Sequence, residues 1–387
     1  MAKFGDIGEF RTGGTPSSSH PEYYGTEYPW ITTVALGSTY IDSSDATAFL
    51  SNEGLTNSST KVIDAGSLMI GIRVGVGKCS INNVPMCTSQ DIVSVVGIDK
   101  KKYYLPFLVA FVNSKKDYFD TQKRGATIKG ITTALIKDLV IPDLSYEKQK
   151  EIASVLEGLQ LLIEQHGDML ALIDQLVKSR FIEMFGDPVR NDKGWPLAPL
   201  ASLAEIKIGP FGSLLHKEDY VHGGHALVNP SHIIDGQIVT DNDLTVSEAK
   251  YAEMGAYHLR RGDIVLGRRG EMGRCAVVYN DGLLCGTGSL IIRPAAEMLP
   301  YFLQKIISYP TFKESIEDMA VGVTMMNLNV PIVSNFMIPL LPLEEQSAYL
   351  RFVEQTDKSK FSLKNGGKDA DFAVKCIWES LCRGTLT

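Results

Sequence analysis

The sequence predicts an α+β protein: two homologous β-rich domains separated by long, antiparallel helices that pair as a coiled coil. Three observations predict it. The stretch Gly66 to Cys79 returns as Gly262 to Cys275, so that Gly71, Gly77 and Cys79 recur 196 residues later as Gly267, Gly273 and Cys275. The match then continues with one residue inserted: Gly125-Ala-Thr127 answers to Gly322-Val-Thr324, Ile141-Pro142 to Ile338-Pro339 and Glu147-Lys-Gln149 to Glu344-Glu-Gln346. A period of about 20–50 residues would mean a solenoid, and one this long means two copies of a whole domain. Finally, an apolar heptad follows the first copy, and a heptad sustained this long is the signature of a helix seam that needs a partner.

The first domain is expected over residues 1–144. Gly13-Gly14-Thr15-Pro16 is a turn-rich loop, whereas Leu68–Ile70 and Asp91–Val96 are short β-branched apolar runs that read as strands. Leu105–Phe119 reads as a helix with Pro106 in its first turn. A central helix is expected over 145–186, with Ser145 as N-cap and a heptad through Ile152, Leu159, His166 and Ile173. Its companions are the apolar pairs Val155/Leu156, Leu162/Ile163, Met169/Leu170 and Leu176/Val177. Gly186 and Pro188 end it, and a polar linker spans 187–199. The second domain covers 200–341. Pro342-Leu-Glu-Glu-Gln346 then opens a C-terminal helix over 342–387 that the sequence predicts to be atypical or truncated. Thr356, Ser359 and Lys360 stand where Leu159, Leu162 and Ile163 stood, and Gly366-Gly367 is expected to break it.

The formal net charge of −7 argues against a nucleic-acid partner, but the charge is uneven. Residues 100–137 hold nine Lys and Arg against two Asp, and residues 256–293 hold six Arg against three acids. Screening limits the reach of a surface charge to about 10 Å, so local patches matter more to a polyanion than the total. Catalytic signatures are missing. Gly71–Lys78 resembles a phosphate loop but has Val76 and Cys79 where Gly and Ser or Thr are required, and the second copy has no lysine there. Asn229-Pro230-Ser231-His232 fails two positions of a base-methylation motif, and His216, His222, His225 and His232 lack the companions of a metal site. No close Cys-x-x-Cys pair occurs, so the cysteines read as buried free thiols. With no long apolar run and no secretory core, the expected location is cytoplasmic.

In their order and their duplication, four stretches resemble the specificity subunit of type I restriction-modification enzymes. They are Ile-Pro-Asp-Leu-Ser-Tyr-Glu-Lys-Gln-Lys-Glu-Ile-Ala (141–153), its echo Ile-Pro-Leu-Leu-Pro-Leu-Glu-Glu-Gln-Ser-Ala (338–348), Gly-Asp-Ile-Val-Leu-Gly-Arg-Arg-Gly-Glu-Met-Gly-Arg (262–274) and Phe-Ile-Glu-Met-Phe-Gly-Asp-Pro (181–188). The resemblance implies two target-recognition domains joined by spacer helices, each reading one half of a bipartite double-stranded DNA site. It implies a non-catalytic subunit that binds no cofactor itself. Two methyltransferase subunits would bring S-adenosylmethionine for adenine methylation, and restriction motor subunits would bring ATP and magnesium. The C-terminal helix, polar and interrupted, departs from the family's pattern. A two-headed interaction scaffold without a DNA role is the competing class.

The resemblance makes the Gly-flanked turn the DNA-facing one. Arg73, and Arg268 with Arg269, lie in it, and an arginine fork spans guanine O6 and N7. Lys78 and Arg274 share an aligned position suited to phosphate. The small glycines are expected to let the backbone approach the duplex. A second loop carries Arg124, Thr127 and Lys129 in one copy and Thr324, Asn327 and Asn329 in the other.

Overall fold

The computed structural model describes residues 2–125, 129–211, 214–271, 273–319 and 327–383, with side chains through Leu381. The chain divides into two compact units: Met1–Met169 with Leu363–Thr387, and Leu170–Ser362.

In the first unit the main sheet comprises β1 (Glu9–Thr12), β3 (Tyr40–Ile41), β4 (Leu68–Gly71), β5 (Cys79–Asn82) and β7 (Ile92–Val96), in the order β1-β7-β4-β5-β3. Beside it, β2 (Tyr24–Ile31) pairs in parallel with β6 (Cys87–Thr88). Strand β4 reads as an unbroken apolar run because both of its faces are covered. Leu68 and Ile70 share a core with Phe107, Leu108 and Phe111, while Met69 points into a second cluster with Ile31, Ile41 and Met86. The helix expected over Leu105–Phe119 is two helices, α1 (Leu105–Asn113) and α2 (Lys116–Gln122). At the break, the Ser114 hydroxyl donates back to the Phe111 carbonyl at 2.7 Å, competing with the helical ladder.

The second unit repeats this plan. Strands β8 (Ala204–Ile208), β10 (Ile264–Gly267), β11 (Cys275–Val277) and β13 (Ser289–Pro294) form an antiparallel sheet in the order β8-β13-β10-β11, and β9 (His225–Val228) pairs in parallel with β12 (Leu284–Cys285). Helices α3 (Pro300–Ile307) and α4 (Pro310–Met319) cover it. Cys79, Cys87, Cys275 and Cys285 are free and buried in these strands, whereas Cys376 is exposed.

Two long helices complete the fold, a central one over Tyr146–Phe185 and a C-terminal one over Leu343–Arg383. The central helix starts as read, with the Ser145 hydroxyl accepting from the Lys148 amide at 3.3 Å. Inward-facing residues follow a 3.5-residue period: Ile152, Leu156, Leu159, Ile163, His166, Leu170, Ile173 and Val177. Each apolar pair is therefore split. Its second member turns inward, and Val155, Leu162, Met169 and Leu176 are exposed.

The expectation of a truncated, broken C-terminal helix is wrong. The helix runs without interruption through Gly366-Gly367 for 41 residues. Those glycines leave room for a neighbour: a Cβ on Gly366 would lie 2.8 Å from His166 Cε1. The same period continues through Gln346, Val353, Thr356, Lys360, Leu363, Ala370, Val374 and Leu381, so the repeat survives with polar residues substituted. Thr356 donates to the Val353 carbonyl at 2.7 Å, and Lys360 pairs with Asp174.

Within each unit the two helical segments run antiparallel. In the first, His166 meets Gly366, while Ile152 and Leu156 share the core with Trp378 and Leu381. In the second, Asp174 meets Lys360, and the Phe185 ring lies 5.6 Å from Tyr349. Each helix thus begins in the unit of its own repeat and ends in the other. Trp378 packs at a tilt against Phe107 (5.7 Å) and Phe111 (5.9 Å) of the first unit, and its repeat mate Phe181 stacks near Phe302 (6.0 Å) of the second. No helix among the described residues is long and apolar enough to cross a membrane.

Candidate nucleic-acid interface

Three loops meet at the same end of each sheet. The first is the Gly-flanked hairpin between β4 and β5, closed by the Gly71 amide donating to Lys78 O at 2.9 Å, and its mate between β10 and β11, closed by Gly267 donating to Arg274 O at 2.8 Å. The second loop packs along it through an equivalent hydrogen bond in both copies. Ile131 donates to Ile72 O at 2.8 Å, and Leu328 donates to Arg268 O at 3.0 Å. The third is a short turn, Thr33–Ala35 after β2 and Pro230–His232 after β9. A Cβ on Gly71 would lie 3.5 Å from Thr33 Cγ2, and one on Gly267 would lie 3.2 Å from Pro230 Cβ. Sequence reasoning found the first two loops and missed the third. Its signal was there, an apolar strand ending in Thr32-Thr33 or Asn229-Pro230 at matching distances from each hairpin.

The glycines expected to admit a duplex have an internal explanation. Gly77 (φ 83°) and Gly273 (φ 72°) take backbone angles that side chains resist. A Cβ there would lie 2.8 Å from the Phe119 ring or 2.6 Å from Lys313 Cγ, so the hairpin closes on α2 or α4 only if both stay glycine.

Arg73 is half exposed, with its guanidinium 3.6 Å from the Asp91 carboxylate. Lys78 and Lys129 are exposed, and the exposed Arg124 closes its loop by two backbone hydrogen bonds with Gly130, both 2.9 Å. Thr127 and Thr324 lie outside the described residues. Arg268 is half-buried and spends its Nε–H on Leu328 O at 2.9 Å, and burial together with neighbouring Arg269 lowers its pKa. Arg269 is exposed with no ion pair among the described residues. Arg274 donates to Glu271 at 2.7 and 3.1 Å. Lys313 also holds Glu271 at 2.8 Å, and Lys313 and Arg274 together pull its carboxyl down to about 2. Asn327 buries a side-chain oxygen that has no hydrogen-bond partner among the described residues. Asn329 accepts from the Ile332 amide at 2.9 Å and so caps a helix. The structure therefore brings Arg73, Lys78, Arg124 and Lys129 to one loop cluster, and Arg268, Arg269, Arg274, Asn327 and Asn329 to the other.

The repeated glutamines of the resemblance motif hold this frame together. Gln149 accepts from the Tyr104 amide at 2.9 Å and donates to Lys102 O and Leu144 O. Gln346 accepts from the Leu299 amide at 2.9 Å and donates to Glu297 O and Leu341 O. Each buried amide ties the start of a long helix to the turn before the helix that covers the sheet. Such buried polar groups need every partner satisfied.

A duplicated sheet scaffold that gathers three loops in each copy, with arginine and lysine among them, defines a protein of two repeated, loop-presenting domains. The family profile described as the type I restriction modification DNA specificity domain matches residues 1–173 and again 194–370, and the chain belongs to that family. The family supplies specificity to restriction-modification systems, not catalysis. Among its relatives is the type I restriction enzyme MjaIX specificity subunit of Methanocaldococcus jannaschii, 24% identical over 63% of this chain. The match spans only 60% of that relative. The MjaVIII specificity subunit of the same organism is 19% identical over the whole of this chain and 92% of its own. Among solved structures, a chain from work on assembly and conformational transition of the type I R-M system aligns with a TM-score of 0.65 at 17% identity, covering 100% of this chain and 97% of that one. The S subunit of a type I restriction-modification system from M. genitalium aligns with a TM-score of 0.56 at 14% identity, covering 98% and 94%.

Proposed function

We propose that the chain reads a bipartite double-stranded DNA target, one half per loop cluster, and positions methyltransferase and restriction subunits on it. The observation that carries this reading is the duplicated hairpin–loop hydrogen bond, Ile131 to Ile72 and Leu328 to Arg268, which presents different side chains on one backbone plan. Two readers of like geometry and unlike chemistry suit a target with two unlike halves. Arg73, Lys78 and Arg269, with Arg124 and Lys129 alongside, supply the guanidinium and ammonium groups for base edges and phosphates. S-adenosylmethionine, ATP and magnesium would sit on the partner subunits. Val155, Leu162 and Met169, seven residues apart and exposed on the central helix, offer apolar surface to a methyltransferase subunit. The test is methylome mapping with the chain co-expressed with its methyltransferase partner. Methylated adenines in a two-part motif are expected. An interaction scaffold would leave the methylation pattern unchanged when this chain is deleted.

A further inference from the structure

Two exposed valines flank the point where the loops of the first unit meet. Val34 in the Thr33–Ala35 turn is 81% exposed, and Val74 in the hairpin is 57% exposed. The residues beside them touch: a Cβ on Gly75 would lie 3.5 Å from Thr33 Cβ and 3.3 Å from Lys78 Cδ. Arg73 precedes Val74, so two branched apolar side chains stand among cations. Neither belongs to a buried cluster of the first unit, so neither stabilises the fold by burial. Nor does the backbone require them. The second unit repeats the plan with exposed Ser231 in the corresponding turn and Gly270 in the hairpin, with open space around Gly270.

We propose that Val34 and Val74 read thymine C5-methyl groups at the half-site facing the first unit. This rests on the DNA-reading function above and gives that unit its base preference. In the major groove the thymine methyl is the apolar feature, and its recognition takes an apolar side chain. Cytosine presents an amino donor and no methyl in the same region, so a valine there separates T·A from C·G. The neighbouring cations favour a duplex over a protein surface, because Arg73 and Lys78 then have guanine and phosphate to meet. The second unit, with serine and glycine in these places, would read without methyl contacts from them.

The target found by methylome mapping supplies the probe. Duplexes in which each thymine is replaced singly by deoxyuridine lose only the methyl group. Binding of the complete methyltransferase complex should weaken by about fourfold for each contacted methyl removed. Val34→Ser with Val74→Gly, which installs the residues of the second unit, should bind thymine and deoxyuridine duplexes alike while still distinguishing the second half-site. Equal wild-type affinity for thymine and deoxyuridine duplexes overturns the proposal, as does a first half-site without thymine on either strand. So does a double variant that retains the wild-type preference for thymine. A complex with no sequence preference overturns the DNA-reading function itself, a different result from one that finds its target but ignores the methyl.

Discussion

The hairpins of the two units share a backbone and differ in how they treat charge. In the second unit Glu271 ties down Arg274 and Lys313, leaving Arg269 as the exposed cation of that hairpin with no ion pair among the described residues. In the first unit Gly75 stands where Glu271 stands, and Lys78 and Lys116, the mates of Arg274 and Lys313, have no ion pair among the described residues. The first hairpin presents a loose positive field with an apolar tip. The second presents an exposed arginine beside a neutralised rim. A single position opposite two basic residues thus decides whether their charge is spent inside the protein or offered outward.

The largest effect should come from the crossed aromatic anchors. Trp378→Ala should destabilise the first unit, and Phe181→Ala the second, by about 3–5 kcal/mol each. Hydrogen exchange resolved by unit will show which sheet loses protection, and loss in the opposite unit would refute the exchange of helix ends. Next come the arginines. Arg269→Ala should weaken binding by about 1–3 kcal/mol per lost bidentate contact and relax only the second half-site. Arg268→Ala should also loosen the segment around Leu328, because it removes the guanidinium bond to that carbonyl. Methylomes identical to wild type for both variants would remove this hairpin from the interface.

A smaller change tests the charge contrast directly. Glu271→Gln frees Arg274 and Lys313, so the second unit should come to resemble the first. The slope of log K against log salt should steepen by about one to two, near 0.9 for each phosphate newly neutralised. An unchanged slope means that the two cations do not face DNA. The smallest effect is a pH response confined to the second unit. His225 has acceptors on both ring nitrogens, Gly282 O at 2.9 Å and Glu248 at 2.7 Å, and it stacks on Tyr251 with 3.8 Å between ring centres. These partners, the Glu248 hydrogen bond foremost, raise its pKa above the ordinary 6.5. The stabilisation is complete below pH 6.5 and is lost as the pH rises through the elevated value. Intrinsic-rate-corrected exchange in β9 should therefore quicken over that range, and His225→Phe should abolish the trend.

The sequence by itself determined the duplication, the apolar strand runs Leu68–Ile70 and Asp91–Val96 and the two candidate loops of each copy, because each is written in a local pattern or in its recurrence. Strand and heptad periods record burial, and glycines with positive φ or tight neighbours cannot drift without disturbing the fold. It could not separate the members of Leu162/Ile163 or Met169/Leu170, since adjacent apolar residues satisfy the heptad equally and only a partner selects the inward one. Gly366-Gly367 read as a break because propensity sees an isolated helix. Packing against His166 turns the missing side chains into the space that the neighbour fills. The contact of Glu271 with Lys313 joins residues 42 positions apart, so no local pattern announced it. Tertiary structure alone decided that Trp378, near one end of the chain, completes the core of the first unit, and that Phe181 completes the second. Burial rewards any apolar side chain that reaches the site, whichever repeat it comes from, and only the folded path of the chain says which one does.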